Sequence, residues 1–481
     1  MAGRKAYRVR EKVPGMGSGK QKGISMVTSQ NKGNRFKNWD RIVDWGLFAV
    51  LLVVVSGVTL TLFHKQTLGS PQSYHSDMKA YILEMQGLES KYNFPYPVFF
   101  KLAALIHLVA PAELSVAIAT MLLNSLAIVI TKAALNHLAL EDLKGWLQGR
   151  GTMAVQGRRL GWGWVAGPLL SALAVSLFFI SMLYPPKGIY LPGIKFIYLG
   201  VFTPNPFHNA TYMAARPFAI LAFLWFARLL PVYEKGIGSR RERSSADDNG
   251  RDAAGTAKGF QGDIRDYVLF SVFLLVATMT KPSFTIVLVG AAGLVMVWRL
   301  FRSSFRNLVP TICLGLCFVP TFADLLYQYR GVFVPEEGKE GGLGFCLGEV
   351  WGEYCDCIPL AVCLAVGFPL LVLVLHFKEL KRNTLYRFSW QIYLMSFAMA
   401  FFLYEKGFRK ADFNFSWGYM YGIFFCHLGA LVLLLQDTVR PKGAGGRLRP
   451  WLVGAQWLAY LVHFVCGVFY FRVYWMGHMY Y

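Results

Sequence analysis

Apolar stretches of membrane-crossing length recur along the chain, separated by short segments rich in Lys and Arg. A helix needs roughly 20 apolar residues to cross the hydrocarbon core of a bilayer, and backbone polar groups inside that core must be satisfied within the spanning structure. The blocks supply on the order of ten such crossings. With 55% hydrophobic and 16% charged residues among 481, and a mean hydropathy of +0.40, the chain lacks the polar surface of a water-soluble enzyme. The reading is an all-α polytopic membrane protein.

The charges set the orientation. A formal net charge of +22 arises from 49 Lys and Arg against 27 Asp and Glu. The basic residues lie between apolar blocks and not on one folded domain, so membrane topology accounts for them and no nucleic-acid partner is expected. Residues 1–43 hold many Lys and Arg among Gly, Ser and Gln, with too few apolar residues to fold, and are expected to form a disordered cytoplasmic tail. No cleavage-site pattern follows, so residues 47–63 read as a retained first span running from inside to outside. The basic segments 132–159, 235–265, 299–306, 378–387 and 440–449 should then be cytoplasmic. One of them falls in a low-complexity Ser, Asp and Gly-rich loop over residues 231–265.

Between the first span and Lys132 the chain can therefore cross only once, although residues 96–109 and 112–130 are both apolar. The first is shorter, carries Lys101 and His107, and runs from Pro95-Tyr96-Pro97 to Pro111, which suits an amphipathic helix in the outer interface. Further spans are expected near 162–184, 210–230, 266–280, 283–301, 307–327, 357–377, 388–404, 416–436 and 450–472. This gives about eleven transmembrane helices in a membrane domain over residues 44–472, with a short outer C-terminus at 473–481. The outer segments become 64–111, 185–209, the turn Lys281-Pro282-Ser283, an acidic loop at 328–356, and 405–415. Cys346, Cys355 and Cys357 share the acidic loop and could be bridged if it faces an oxidising compartment. The eight cysteines show no CxxC pair, and no His cluster has zinc-ligand spacing.

The long outer segment after the first span reads His75-Ser76-Asp77-Met78-Lys79-Ala80-Tyr81 and then Asn93-Phe94-Pro95-Tyr96-Pro97-Val98-Phe99-Phe100-Lys101. A cytoplasmic tail, one span, an outer loop with an early acid, an interfacial helix opened by Pro-aromatic-Pro, and many further spans resemble glycosyltransferases of the GT-C fold. That class includes the protein O-mannosyltransferases and the lipid A aminoarabinose transferases, and the chain is also similar to bacterial multi-pass proteins with a Ser-Asp early loop. The resemblance is specific at Ser76-Asp77 and residues 94–101, and weaker at Lys281-Pro282-Ser283 and residues 405–419. It implies a GT-C-like fold, sugar transfer on the outer face of a bacterial plasma membrane, and Asp77 as the base. Better-known members carry paired acids at that position, whereas the nearest acids to Asp77 are Glu84 and Glu89. No cofactor is assigned, and the need for a divalent cation stays open.

Transfer of a sugar from a polyprenyl phosphate requires a carboxylate to accept the acceptor hydroxyl's proton, and cations to stabilise the departing phosphate. Asp77 is the candidate base, with His75 placed to tune its proton affinity. The competing reading is a solvated loop acid, or the N-cap of a helix starting near Met78. Lys281, in a turn at the depth of a lipid phosphate, is either a phosphate clamp or a snorkelling anchor. Arg216 sits inside an apolar stretch, where a charge costs roughly 2.5–3.5 kcal/mol on insertion scales, and is expected to bind phosphate or pair with an acid. In residues 405–415, Glu405, Arg409 and Asn414 are candidate substrate contacts, with Phe413, Phe415 or Trp417 for stacking. An interfacial aromatic belt is the alternative there. His208 and Asn209 are secondary candidates, read first as a turn with a helix cap.

The leading expectation is an inverting membrane glycosyltransferase that moves a sugar from a polyprenyl-phosphate donor to a glycan, lipid or protein acceptor of the cell envelope. The alternatives are a transporter or flippase of a lipid-linked saccharide, which would show broken helices at corresponding points of two halves, and an envelope-polysaccharide polymerase or ligase.

Overall fold

In a computed structural model the described residues are 23–70, 72–89, 94–149, 152–155, 158–183, 202–243, 262–332, 342–440 and 448–478, with side chains described from Arg41 onward except at 152–155, 158–161, 235–243, 331–332 and 408. Sixteen helices follow in chain order: α1 (Gly23–Leu68), α2 (Met78–Met85), α3 (Pro97–His107), α4 (Ala112–Gln148), α5 (Ala166–Ser176), α6 (Ala210–Arg243), α7 (Ile264–Thr280), α8 (Ser283–Arg302), α9 (Leu308–Leu316), α10 (Val319–Val332), α11 (Glu349–Gly352), α12 (Ile358–Ala365), α13 (Gly367–Leu375), α14 (Thr384–Phe402), α15 (Ser416–Val439) and α16 (Pro450–Trp475). Two small antiparallel pairs join β1 (Thr152–Val155) to β2 (Arg158–Gly161), and β3 (Leu343–Phe345) to β4 (Leu403–Glu405). The protein is an all-α multi-pass membrane protein. Among the described residues seven helical stretches are long and apolar enough to cross a membrane, or nine if each of two bent pairs is one span.

The central helix is α15, whose apolar window is buried throughout, whereas α1 and α16 lie at the periphery with only 28% of their windows buried. Against α15 pack α14, α4, α8, α13 and α16. Small residues permit the closest of these approaches. A Cβ at Gly422 or Gly429 would strike the hydroxyl of Ser396 or Ser389 on α14, so hydrogen side chains on one helix face serine on the other. Close backbone approach of this kind gives helices in lipid the packing contacts that the hydrophobic effect does not supply there. On the end read as cytoplasmic, Glu234 of α6 accepts from Arg299 of α8 at 2.8 Å and from Arg387 of α14 at 2.6 Å, tying three helices together.

Two expected spans are broken. Over 307–327 the chain forms α9 and α10, bent by 50°, and over 357–377 it forms α12 and α13, bent by 76°. The cause is the same in both: a proline ring clashes with the carbonyl four residues earlier. Those residues are Leu316 for Pro320 and Ala365 for Pro369, each the last residue of the first half. The freed backbone groups find partners elsewhere, as the hydrocarbon region requires. The Leu364 carbonyl accepts from Leu183 N at 2.9 Å, and Phe368 N donates to His463 Nε2 at 3.0 Å. At the other break the Cys317 carbonyl accepts from Ser271 Oγ at 2.7 Å.

Other boundaries differ from the sequence expectation. Helix α1 begins at Gly23, inside the segment expected to be unfolded; extending an existing helix costs far less than nucleating one. Most of the basic segment 132–159 is the inner end of α4, and α6 continues to Arg243, into the loop placed at 231–265, whose residues 244–261 lie outside the described residues. The span near 162–184 is α5 with 3-10 turns on either side, ending at Phe179. The acidic loop contains the end of α10, β3 and α11, and among the described residues all three of its cysteines are free. Residues 96–109 form the 11-residue α3, about 17 Å long at 1.5 Å per residue and too short to span. Its Phe99, Phe100 and Ala103 are buried, while Leu105 is 63% exposed.

Candidate functional site

A cavity of about 570 Å³ opens between the N-termini of α2 and α15, the α7–α8 turn, and the loops around β3 and β4, a size typical of small-molecule sites. Its walls include His75, Asp77, Lys281, Glu405, Arg409 and Asn414, together with the secondary candidates His208 and Asn209, so the polar candidates read from the sequence meet at one place, Arg216 excepted.

Asp77 stands at the N-cap position of α2, yet its side chain makes no capping hydrogen bond. The carboxylate instead faces across the fold. Its Oδ2 accepts from Tyr81 Oη at 3.1 Å and from Asn209 Nδ2 at 3.1 Å. Asn209 is oriented by a second duty, because its Oδ1 caps α6 by accepting from Tyr212 N at 2.9 Å and also accepts from Thr211 Oγ1 at 2.9 Å. An amide whose oxygen is committed to backbone N–H presents its NH2 to the carboxylate. The cap read from the sequence and the contact to the acid are thus the same residue. Among the described residues no hydrogen bond reaches Asp77 Oδ1, so the carboxylate is held through one oxygen with the other open.

Lys281 ends α7 in extended backbone, before Pro282. Its ammonium donates to Thr211 Oγ1 at 3.1 Å and lies 4.9 Å from the Trp417 ring and 5.9 Å from that of Tyr96. One of three donors is engaged within hydrogen-bond distance, and aromatic faces hold the charge by cation–π attraction. Burial pushes the amine down to about 8, opposed by Asp77. Burial also pushes His208 down to about 3, helped by the charges of His75 and Lys281, so this imidazole is neutral at pH 7. Among the described residues its buried Nδ1 has no hydrogen-bond partner. The Tyr81 hydroxyl is pushed up, first by burial and then by Asp77, and stays a donor.

The opposite wall is built by the turn after β4. Glu405 Oε2 accepts from Asn414 Nδ2 at 3.0 Å and pairs with Arg409 Nε at 3.1 Å, while Asn414 Oδ1 accepts from Trp417 Nε1 at 3.2 Å. Phe413 reverses the chain with φ +48°, a conformation costly for a side chain of its size, and packs on Trp351 and Tyr354. The Lys410–Glu349 pair at 2.7 Å and the Tyr354 Oη bond to the Ala411 carbonyl at 2.7 Å fasten this turn to α11. Arg409 therefore enters the cavity already paired with an acid, with Asp412 also 3.8 Å away.

Arg216 is placed elsewhere. It is fully buried and absent from the cavity lining. Its Nη1 donates to Asn205 Oδ1 at 2.6 Å, its Nη2 contacts Met213 Sδ, and its guanidinium faces the rings of Phe178, Tyr212 and Phe424. Among the described residues no carboxylate pairs with it. In place of the expected acid partner the guanidinium has an amide and an aromatic box, which meet the cost of the buried charge by a hydrogen bond and cation–π contacts.

Sequence reading missed Tyr81 and Thr211. Tyr81 had a signal, lying four residues after Asp77 on the same helix face; Thr211 is far from Asp77 in sequence and had none. Among the described residues no three His, Cys, Asp or Glu side chains come together as a metal site. No family model, curated protein or solved structure matches this chain.

Proposed function

We propose that the chain is an inverting membrane glycosyltransferase of GT-C-like architecture that takes a sugar from a polyprenyl phosphate on the outer face of the cell membrane. The observation that carries this reading is the meeting, in one cavity, of a carboxylate held through one oxygen with the other open, and a buried ammonium with donors to spare. The acceptor hydroxyl gives its proton to Asp77 Oδ1 as its oxygen bonds to the anomeric carbon. The carbon–oxygen bond to phosphate breaks, and the polyprenyl phosphate leaves with the electron pair, stabilised by Lys281 and Arg409. Trp417 and Phe415 supply apolar faces for the sugar, and Asn414 and Glu405 supply hydroxyl contacts.

The eleven-span topology belongs to this proposal. It adds α7, of 17 residues, and the aromatic-rich α14 to the seven long helices and the two broken pairs. With residues before Arg41 in the cytoplasm, the cavity then faces outward.

The broken helices favour a transporter as the second reading. A transport fold places such helices at corresponding points of two halves, whereas both pairs here lie after residue 307. The test is incubation of the purified protein with a synthetic polyprenyl-phosphate sugar and candidate acceptors, measuring released polyprenyl phosphate. Acceptor-dependent release supports the enzyme; movement of intact donor across liposomes, without release, supports the transporter.

A further inference from the structure

A second cavity, of about 240 Å³, lies among α1, α4 and the segment entering α5. It is at the other end of the bundle from the first: Asp44, in its wall, is roughly 33 Å along α1 from Gln66 at a rise of 1.5 Å per residue, and Gln66 donates to Phe207 O just before the Asn209 cap. Its floor is an ion pair closed on itself. Lys132, fully buried, directs its ammonium to Asp44 Oδ1, Asn136 Oδ1 and the Gly167 carbonyl, each at 2.8 Å. All three donors are used. Asp44 in turn accepts from Asn136 Nδ2 at 3.3 Å and Ser171 Oγ at 3.4 Å. Gly167 is required here, because a Cβ would run into the Asp44 carboxylate.

The floor is thus neutral, and the charge of the mouth is set by Arg41 and Lys144. Arg41 is exposed and, among the described residues, pairs with no carboxylate. Among the described residues Lys144 pairs with Glu141 alone, at 3.5 Å, an acid whose side chain is 86% exposed. Trp45 and Trp164 also line the opening, 42% and 43% exposed, as aromatics at a membrane–water interface do. In the sequence the long apolar run of α1 follows Arg41, Asp44 and Trp45, which puts the mouth at the depth of lipid headgroups. Its volume exceeds that of a single water, about 30 Å³, several-fold.

We propose that this cavity is a binding site for the phosphodiester headgroup of an anionic phospholipid in the leaflet facing α1's basic end, with Arg41 and Lys144 holding the phosphate and Trp45 and Trp164 flanking the glycerol and upper acyl chains. Two cations over a neutral floor attract an anion, and the tryptophans favour a ligand with an apolar body over free phosphate. The site is independent of the transfer reaction.

The test is calorimetric titration of the full chain in neutral detergent with short-chain phosphatidylglycerol, with phosphatidylcholine and inorganic phosphate as parallel arms. Saturable phosphatidylglycerol binding is expected, weakened at least tenfold in Arg41→Gln/Lys144→Gln and unchanged in Lys378→Gln/Lys381→Gln, whose basic side chains are exposed elsewhere. If the first double variant folds poorly, Lys144→Glu replaces it, reversing one charge without touching the floor. Inorganic phosphate that binds equally well and displaces the lipid would make this a soluble-anion site and overturn the proposal. Equal binding of phosphatidylcholine, equal loss in both double variants, or full binding without Arg41 and Lys144 would overturn it as well.

Discussion

Asn209 donates its amide to Asp77 Oδ2 at 3.1 Å while its own oxygen caps α6 through Tyr212 N at 2.9 Å. One side chain therefore starts a membrane helix and sets the orientation of the acid. The two duties are separable. Asn209→Ser keeps a good N-cap but removes the amide donor, and is expected to leave the melting temperature nearly unchanged while lowering turnover by up to about tenfold, the worth of one hydrogen bond. Asn209→Ala is expected to lose both, with about 0.5–2 kcal/mol of stability gone with the cap. Thermal melts alongside single-turnover rates distinguish the two; equal turnover in Asn209→Ser and wild type would remove Asn209 from the positioning of Asp77.

In the proposed transfer Lys281 is expected to make the reaction pH-dependent. Its ammonium is charged below its pKa, which burial lowers to about 8, and a phosphate contact needs the charge. Donor binding by the free protein is expected below pH 8; as pH rises through about 8 the charge is lost and kcat/KM is expected to fall, since that ratio reports the free enzyme. Lys281→Arg is expected to abolish the falling limb, because a guanidinium stays protonated. A limb that persists unchanged in Lys281→Arg would assign it to another group.

Arg216, buried outside the cavity lining, is expected to hold structure and not substrate. Arg216→Met removes the charge from its aromatic box and leaves Asn205 Oδ1 without its donor, so the melting temperature is expected to fall while the donor KM stays within about twofold of wild type. A large rise in KM in a stably folded variant would return Arg216 to the phosphate site.

The seam between α14 and α15 tolerates no added volume. Gly422→Val forces a side chain onto Ser396, and the expected cost is about 1–3 kcal/mol or more, read as a lower melting temperature in detergent. The double variant with Ser396→Gly is expected to recover part of it, since the two residues share one contact.

Apolar block length and basic segments made the multi-pass class legible in the sequence, and the prolines around residues 95–97 and 111 kept α3 from being read as a span. The two broken helices were also within reach, since Pro320 and Pro369 stand where a ring must disrupt the preceding turn. They were passed over because hydropathy averages through a kink. At the cavity, chain-local chemistry pointed to Asp77, Lys281 and residues 405–414, and Tyr81, a local partner of Asp77, was within reach, but the second bond that orients Asp77 comes from Asn209 at the start of α6, itself held by Thr211. Such partners depend on tertiary packing that no spacing rule encodes. Arg216 shows the converse: from sequence a charge in an apolar stretch calls for an ionic partner, and the amide and aromatic rings that surround it are visible only in the fold.

The central claim is that Asp77 accepts the proton of the sugar acceptor. Its most direct test is the single-turnover rate of sugar transfer from a polyprenyl-phosphate donor by wild type and Asp77→Asn, with donor affinity and melting temperature measured on both. A loss of about 10²–10⁴-fold in rate, with donor binding and folding retained, is the predicted result. Transfer at the wild-type rate by Asp77→Asn would contradict it.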